Sequence, residues 1–416
     1  MPETALLGGT PIRQTPFPTW PISGQEEIDA ATRAIKSGRW GWGHEKAEGG
    51  TFEEDYARFQ NAKHGTLVHA GTTGIRIALQ ALDLKMGDEV IVPAYTFIGT
   101  VIPVMDLGAI PVFVDVQPDT YNISPVAIEA AITSKTVGII PVHFAGMPAN
   151  LGAIQAIAEK RGLWVMEDAA QAWGAQWEGV GVGHIGNAGM FSFQSSKNIT
   201  AGEGGIVLTD DDELDKRIKS FVNCGRSTDG EWYEHHVQAG NYRLNEISAA
   251  ILRAQFARYP EQLAHRQKMA AYLSDKLGAI DGLTPMTIPE QVTSHAWHLY
   301  IFRYDPQPLG GLPREIFIHA MQKEGIPVSQ GYMMPLYEQP VFKNKQFDPS
   351  HAAQSVDFAG VNCPVAKNAC DSEAIWLRQE ILMGNEEDMD DIAMSAVKLR
   401  ANVKELLDSR LATLEW

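Results

Sequence analysis

The sequence predicts an α/β protein built on a mainly parallel sheet, and three observations carry that expectation. From residue 66 onward, short runs rich in Val and Ile alternate with helical stretches. The runs are continuously apolar rather than alternating, as strands buried on both faces must be. The segments between them are long enough for helices, which parallel strands need in order to return to the same end of a sheet.

Taken in order, Ser23-Gly-Gln-Glu26 and Thr51-Phe-Glu-Glu54 both fit a capping box, in which a hydroxyl and an acid satisfy the first free N–H groups of a helix. They are expected to open helices over 26–35 and 52–61. Strands are expected at 66–69, 89–93, 110–116, 137–142 and 163–166, with helices over 75–84, 98–107, 125–132 and 151–160 between them. A long helical pattern follows Asn245 and reaches about Leu277. Pro260 should end or kink it, because proline lacks an N–H and clashes with the preceding turn. A strand over 298–304, a helix over 313–323 and the segment 326–329 come next. Asn385 then caps a helix with an acidic first turn that runs to about Ser409. Two units are expected, a large one over 1–260 and a smaller α+β one over 261–416, with the N-terminal segment packing on the smaller.

Composition narrows the function classes. The 416 residues are 44% hydrophobic and 20% charged, as in ordinary globular chains, and the formal net charge is −17. That sign argues against a surface built for nucleic acid or anionic membranes, though not against a local pocket for one small anion. Three scattered cysteines, Cys224, Cys363 and Cys370, make neither a disulfide framework nor a zinc site, which suits a reducing cytoplasm. No secretory signal pattern and no apolar run of membrane-spanning length is read.

The chemistry concentrates in a few stretches. Lys197 lies on a glycine-rich loop, Gln194 to Gly205, between two apolar runs, and Asp168 ends the run Leu163-Trp-Val-Met166. A lysine able to form a Schiff base and a carboxylate able to pair with a pyridinium nitrogen are what pyridoxal phosphate asks of a protein. Ala70-Gly-Thr-Thr-Gly74 falls between a strand and a helix. Close backbone approach, hydroxyls and a helix N-terminus there suit a phosphate, and an ordinary turn is the competing reading. Ser192 is placed to donate to the same phosphate. Phe97, after the second strand, could stack on a flat ring or simply pack in the core. Gln171 could reach a ring oxygen. Gly181-Val-Gly-His-Ile-Gly186 spells a dinucleotide fingerprint, but it neither follows a strand nor opens a helix, so it is read as a turn. His235-His236 could be a metal pair; neighbouring residues do not converge and no third ligand accompanies them, so no metal site is assigned.

Several blocks then carry a resemblance. They are Pro-Ala-Tyr-Thr-Phe (93–97), Pro-Val-His-Phe-Ala-Gly (141–146), Glu-Asp-Ala-Ala-Gln-Ala (167–172), Phe-Ser-Phe-Gln (191–194), Gly-Glu-Gly-Gly (202–205) and Asn-Tyr-Arg-Leu-Asn-Glu (241–246). In this order they resemble the DegT/DnrJ/StrS-type aminotransferases, enzymes of the pyridoxal-phosphate transferase fold type I that aminate keto-sugars and keto-cyclitols. The stretch 240–255 is most similar to cyclitol aminotransferases and 3-amino-5-hydroxybenzoate synthases. The resemblance implies pyridoxal 5'-phosphate as cofactor, Lys197 as the Schiff-base lysine, Asp168 as the pyridinium partner and Gln171 as the ring-oxygen contact. It implies Thr72, Thr73 and Ser192 on the phosphate and Phe97 on the ring. Asn241 would reach the phosphate of a neighbouring subunit, which implies a homodimer with shared sites. The activity implied is ping-pong transamination from L-glutamine or L-glutamate, the alternatives being a dehydrating, aromatising enzyme and a non-catalytic cofactor-binding regulator. Trp173, Ala239 and the stretch Tyr332–Tyr337 depart from the usual pattern and are expected near the pocket. His143, Arg243 and Tyr332 are candidate substrate contacts.

Overall fold

The structure, a computed structural model, describes residues 2–43, 47–227, 230–231 and 233–408. The expected apolar runs form strands β1 (His64–Val68), β2 (Glu89–Pro93), β3 (Ile110–Val114), β4 (Thr136–Ile139) and β5 (Trp164–Asp168), each within a few residues of the expected bounds. A small hairpin, β6 (Gln176–Trp177) and β7 (Val180–Gly181), precedes β8 (Ala188–Ser192) and β9 (Gly205–Thr209). Seven of these make one sheet in the order β1-β9-β8-β5-β4-β2-β3. Its neighbours are parallel except where β9 meets β8 and β1. The fold is therefore the expected α/β class with a mainly parallel mixed sheet. β4 lies against β5 only because residue 138 is glycine: a Cβ there would sit 2.2 Å from the Trp164 ring.

The helices form where expected, but both capping boxes move. The first helix is Gln25–Ser37 with Gly24 as its cap, and Glu27 rather than Glu26 reaches back, its Oε2 accepting the Gly24 N–H at 2.8 Å. The second begins earlier, at Glu48, so Thr51 lies inside it and its hydroxyl donates to the Ala47 carbonyl. Glu53 there accepts the Leu67 N–H at 2.7 Å, tying the helix to β1. Pro260 produces a clean break: the helices are Glu246–Ala257 and Tyr259–Gly278. Proline then occupies a first-turn position, where its missing N–H has no partner to lose. Segment 98–107 is a tight turn, Ile98–Thr100, and a short helix, Ile102–Asp106. Asn385 caps Glu386–Ala401 as expected, and the Asp388 side chain returns the bond to the Asn385 N–H at 2.7 Å. A further helix covers Val403–Asp408, and Ser409 lies outside the described residues.

A second sheet, β10 (Leu283–Pro285), β12 (Leu299–Tyr304) and β13 (Ala374–Arg378), runs antiparallel in the order β10-β12-β13. Strand β11 (Val292–Ser294) leaves this region to pair with β6. The segment 326–329 forms no strand and makes only the bridge Ser329–Trp376. Helices Tyr259–Gly278, Arg314–Lys323 and Glu386–Ala401 close a separate apolar cluster around β10, β12 and β13. The N-terminal segment is pinned there too, since the buried Glu324 carboxylate accepts the N–H groups of Ala5 and Ile12 and an ion pair from Lys398 at 3.0 Å. Under β8, Phe191 and Phe193 meet Phe52 and Tyr56 edge-on at centroid distances of 5.2–5.8 Å. Each such buried ring contributes about 1.5–3 kcal/mol, so the strand leading into the Lys197 loop is firmly held. Among the described residues no helix is long and apolar enough to cross a membrane.

Candidate active site

The carboxyl ends of β1, β2, β5 and β8 face one cavity of about 450 Å³, the edge of an open α/β sheet where ligands characteristically bind. β1 feeds the helix Gly71–Ala81, whose N-terminal end carries no side-chain cap. Its first amides are therefore free for an anion, as a helix N-terminus favours. Gly71 permits the approach to β8, because a Cβ would lie 2.9 Å from Ser192 Cβ and 3.1 Å from Met190 Sδ. Thr72 and Ser192 both line this corner.

Phe97, past the end of β2, is 61% exposed and lines the cavity instead of packing in the core. At the end of β5, Asp168 is buried, with Oδ2 accepting from the Thr100 hydroxyl at 2.7 Å and Oδ1 from the Ala170 N–H at 3.1 Å. Burial pushes its carboxyl above the ordinary range; the Thr100 and Ala170 bonds and the charge of Lys197 pull it back only in part. Gln171 also lines the cavity, and its Oε1 accepts the Ala145 N–H at 2.7 Å.

Lys197 sits on the loop between β8 and β9, in a turn closed by its own N–H to the Gln194 carbonyl. Asn198, Ile199 and Thr200 beside it are buried, and Asn198 is anchored through Nδ2 to the Ala296 carbonyl. Burial lowers the Lys197 ammonium to about 8, against the pull of Asp168. At that value a useful share of the amine is neutral at physiological pH, the form that acts as nucleophile or base.

The cavity thus brings together Thr72, Phe97, Asp168, Gln171, Ser192 and Lys197. Thr73 follows on the same helix but does not line it, and Asn241 is exposed and lies outside it. Of the expected substrate contacts, Tyr332 lines the cavity. Arg243 instead hydrogen-bonds Asn223 at 2.7 Å, outside the cavity. His143 is fully buried behind β5 and pairs with Glu167 at 2.8 Å, so it faces the sheet and not the pocket. Trp173 is buried and packs edge-on against His298, and Tyr337 packs against Phe113; neither reaches the cavity, and Ala239 lies outside it.

The Gly181–Gly186 turn follows the β6–β7 hairpin, a strand pair the sequence did not signal. Its role is structural: the Gly183 and Gly186 N–H groups each reach a Glu167 oxygen at 2.7 Å. Burial alone would raise the Glu167 carboxyl, but the His143 ring and these two amides outweigh it and hold it below its ordinary value.

Two wall residues lay beyond the sequence reading. His298, just before β12, has Nδ1 3.0 Å from Asn198 Oδ1. Because Asn198 Nδ2 is committed to Ala296, its oxygen faces the ring, so Nδ1 carries the proton and Nε2 keeps its lone pair. Burial, reinforced by the charge of Lys197, keeps this imidazole neutral. Trp376, on β13, meets Tyr332 edge-on at 4.9 Å and closes the opposite wall. Alternation on β13 puts Trp376 and Arg378 on one face, the only signal the sequence held for them.

The DegT/DnrJ/EryC1/StrS aminotransferase family profile matches residues 21–388. The chain is 36% identical to 3-amino-5-hydroxybenzoate synthase of Amycolatopsis mediterranei, over 90% of this chain and 94% of that one. It is 32% identical to L-glutamine:2-deoxy-scyllo-inosose aminotransferase of Streptoalloteichus tenebrarius, over 97% and 98%. A crystal structure of 3-amino-5-hydroxybenzoic acid synthase superposes with a TM-score of 0.84 at 34% identity, covering 94% of this chain and all of that one.

Proposed function

Since the chain belongs to the DegT/DnrJ/EryC1/StrS aminotransferase family, we propose that it uses pyridoxal 5'-phosphate to move an amino group from L-glutamine or L-glutamate to a ketone on a cyclitol or sugar ring. The observation that carries this reading is the pairing of Lys197 and Asp168 in one cavity, opposite a helix end that suits an anion. The residues fit the cofactor by their donor chemistry. A phosphate matches the uncapped amides and the hydroxyls of Thr72 and Ser192, with Thr73 next to them on the helix. Exposed Phe97 offers a flat face to the ring. Gln171 is placed toward the ring oxygen, and buried Asp168 toward a cationic ring nitrogen.

Pyridoxal phosphate, when joined to a lysine, supplies an electron sink that makes the proton on an amino donor's α-carbon removable. Lys197 takes that proton and returns it, work worth about 10²–10⁴-fold in rate. Beside a cationic ring nitrogen Asp168 would stay ionised, because an opposite charge offsets the burial that otherwise raises it. Tyr332 and Trp376 exclude water from the same space.

The names of the relatives support glutamine as donor and a cyclitol ketone as acceptor. A second reading, loss of water with aromatisation after proton removal, is favoured by the likeness to 3-amino-5-hydroxybenzoate synthase; product mass separates the two. Asn241, exposed and outside its own cavity, fits a homodimer in which it completes the partner's phosphate site. A cytoplasmic enzyme of two units, 1–260 and 261–416, completes the proposal.

The test is the visible absorbance of cofactor-loaded protein with L-glutamine and no ketone. Loss of the yellow band in favour of the aminated cofactor is expected. A band that persists with glutamine, glutamate and alanine alike overturns the reading.

A further inference from the structure

The loop that follows β2 does more than present Phe97. Thr96 and Thr100 on it are both buried, and both line the cavity. The Thr100 N–H closes the turn by donating to the Phe97 carbonyl at 3.1 Å. Gly99 keeps the turn tight, since a Cβ there would lie 3.0 Å from the Phe97 ring and 3.1 Å from Thr72 Oγ1. One short stretch thus touches the exposed Phe97 ring, the anion corner and, through Thr100, the acid at the end of β5. The protons in this chain of groups can be assigned. A hydroxyl has one, and Thr100 donates its own to Asp168 Oδ2 at 2.7 Å. At the 3.3 Å contact between the two threonine oxygens, Thr96 is therefore the donor. A hydroxyl that receives a hydrogen bond donates a stronger one, so Thr96 reinforces the bond to Asp168. The other Asp168 oxygen is held by the Ala170 N–H. Two fixed donors set the carboxylate plane, and each oxygen keeps a lone pair for the cavity. Burial pushes this carboxyl up; of the influences that draw it back, the Thr100 hydroxyl is the largest, ahead of the Lys197 charge.

We propose that Thr100, backed by Thr96, is a positioning residue that aims the Asp168 carboxylate at the ring nitrogen of the cofactor and strengthens their pairing. One loop then serves the ring's face through Phe97 and its charge through Asp168. This rests on the aminotransferase reading above and adds to it the residue through which the pyridinium partner is set. The rival roles for a buried hydroxyl in a cavity wall are direct contact with the cofactor and plain packing. Both would act whether or not Asp168 carries a charge.

The test is equilibrium binding of pyridoxamine 5'-phosphate to the full-length protein freed of cofactor, read by quenching of tryptophan fluorescence, Trp376 lining the cavity. This probe forms no imine with Lys197, so the readout depends on neither the lysine's reactivity nor turnover. Thr100→Val removes the hydroxyl at nearly constant volume and should raise Kd about 10-fold, the loss of one charge-assisted hydrogen bond. Thr100→Ser keeps the hydroxyl and should stay within about 2-fold of wild type. In an Asp168→Asn background, the Thr100→Val step should change Kd by less than about 3-fold, because the two residues act as one unit. An unchanged Kd in folded Thr100→Val overturns the proposal. So does an equal loss with and without the Asp168 charge, which would assign Thr100 to cofactor contact or packing. A Thr100→Ser variant as weak as Thr100→Val overturns it too. If Thr100→Val fails to fold, Thr100→Ala carries the same expectation and the same refutation. Wild-type protein that binds no pyridoxamine 5'-phosphate at all would instead sink the cofactor reading itself, a result distinct from these.

Discussion

Two regions meet at the end of β5, and adjacent residues divide them. Glu167 points into the packed side of the sheet, Asp168 into the cavity. Both are buried acids, yet Glu167 accepts three hydrogen bonds, from His143, Gly183 and Gly186, and is held below its ordinary pKa. Asp168 accepts two and is held above it. A fully satisfied carboxylate is a structural anchor. One left short of partners has capacity for a cation it does not yet hold, and Lys197 across the cavity shifts it only partway. The contrast shows how a single strand, through simple alternation, can deliver a stabilising group and a reactive one one residue apart.

The comparison can be broken at its reactive end first. Lys197→Ala should lose at least about 10⁴-fold in turnover while remaining folded, since it removes both the covalent anchor and the acid–base group; circular dichroism together with a steady-state assay checks this, and sustained activity refutes the assignment. On the packed side, Glu167→Ala strands three buried donors and should cost about 3–5 kcal/mol of stability, read by urea unfolding. Asp168→Asn keeps shape but not charge. Its unfolding midpoint should move far less than that of the Glu167 variant, while turnover falls by about 10²–10³-fold; equal stability losses in the two would erase the contrast drawn here.

The lysine's pKa sharpens the picture further. Only the neutral amine attacks an aldehyde, and its fraction grows as pH rises to the pKa. Covalent cofactor uptake by the apoprotein should therefore climb about tenfold per unit below about 8 and level off above it. A profile still climbing through pH 10 would mean Lys197 behaves as an exposed lysine. The smallest effect is expected at the exposed Lys160–Glu129 pair, which bridges the helices Leu151–Arg161 and Pro125–Ala131; Lys160→Ala should leave the urea midpoint essentially unchanged.

Much of this was legible in the chain because it is local. Each run of Val and Ile announced a strand, and the residue types just past the strand ends, Phe97, Asp168 and Lys197, could be read as reactive because their positions at one sheet edge follow from parallel topology alone. The capping box at Thr51 and Glu54 misled because its spacing is purely local: the helix starts earlier, at Glu48, and leaves Thr51 inside it. His298 and Trp376 were hidden for the opposite reason. They reach the site from about 100 to 180 residues beyond Lys197, on a second sheet whose docking no local pattern encodes. His143 misled because it lies just past β4 at the same sheet edge as the cavity, while its ring turns inward to Glu167.

The Gly183–Gly186 turn has a consequence for how freely this gene can drift. It holds Glu167 with main-chain amides, which every residue but proline possesses, so the hydrogen bonds alone do not require glycine. Geometry does: a Cβ at Gly183 would lie 2.4 Å from the Phe191 ring and one at Gly186 2.5 Å from the Val165 carbonyl, and Gly183 also holds a positive φ of 98°. Val182 between the strands is buried, and His184 is spoken for at both nitrogens, by Asp210 and the Gln60 carbonyl. In a library randomised over 182–186, selection for folded protein should return glycine at 183 and 186 and leave half-buried Ile185 as the position most open to variation. Two of the five positions thus serve one carboxylate, and two more are fixed by packing and by hydrogen bonds of their own.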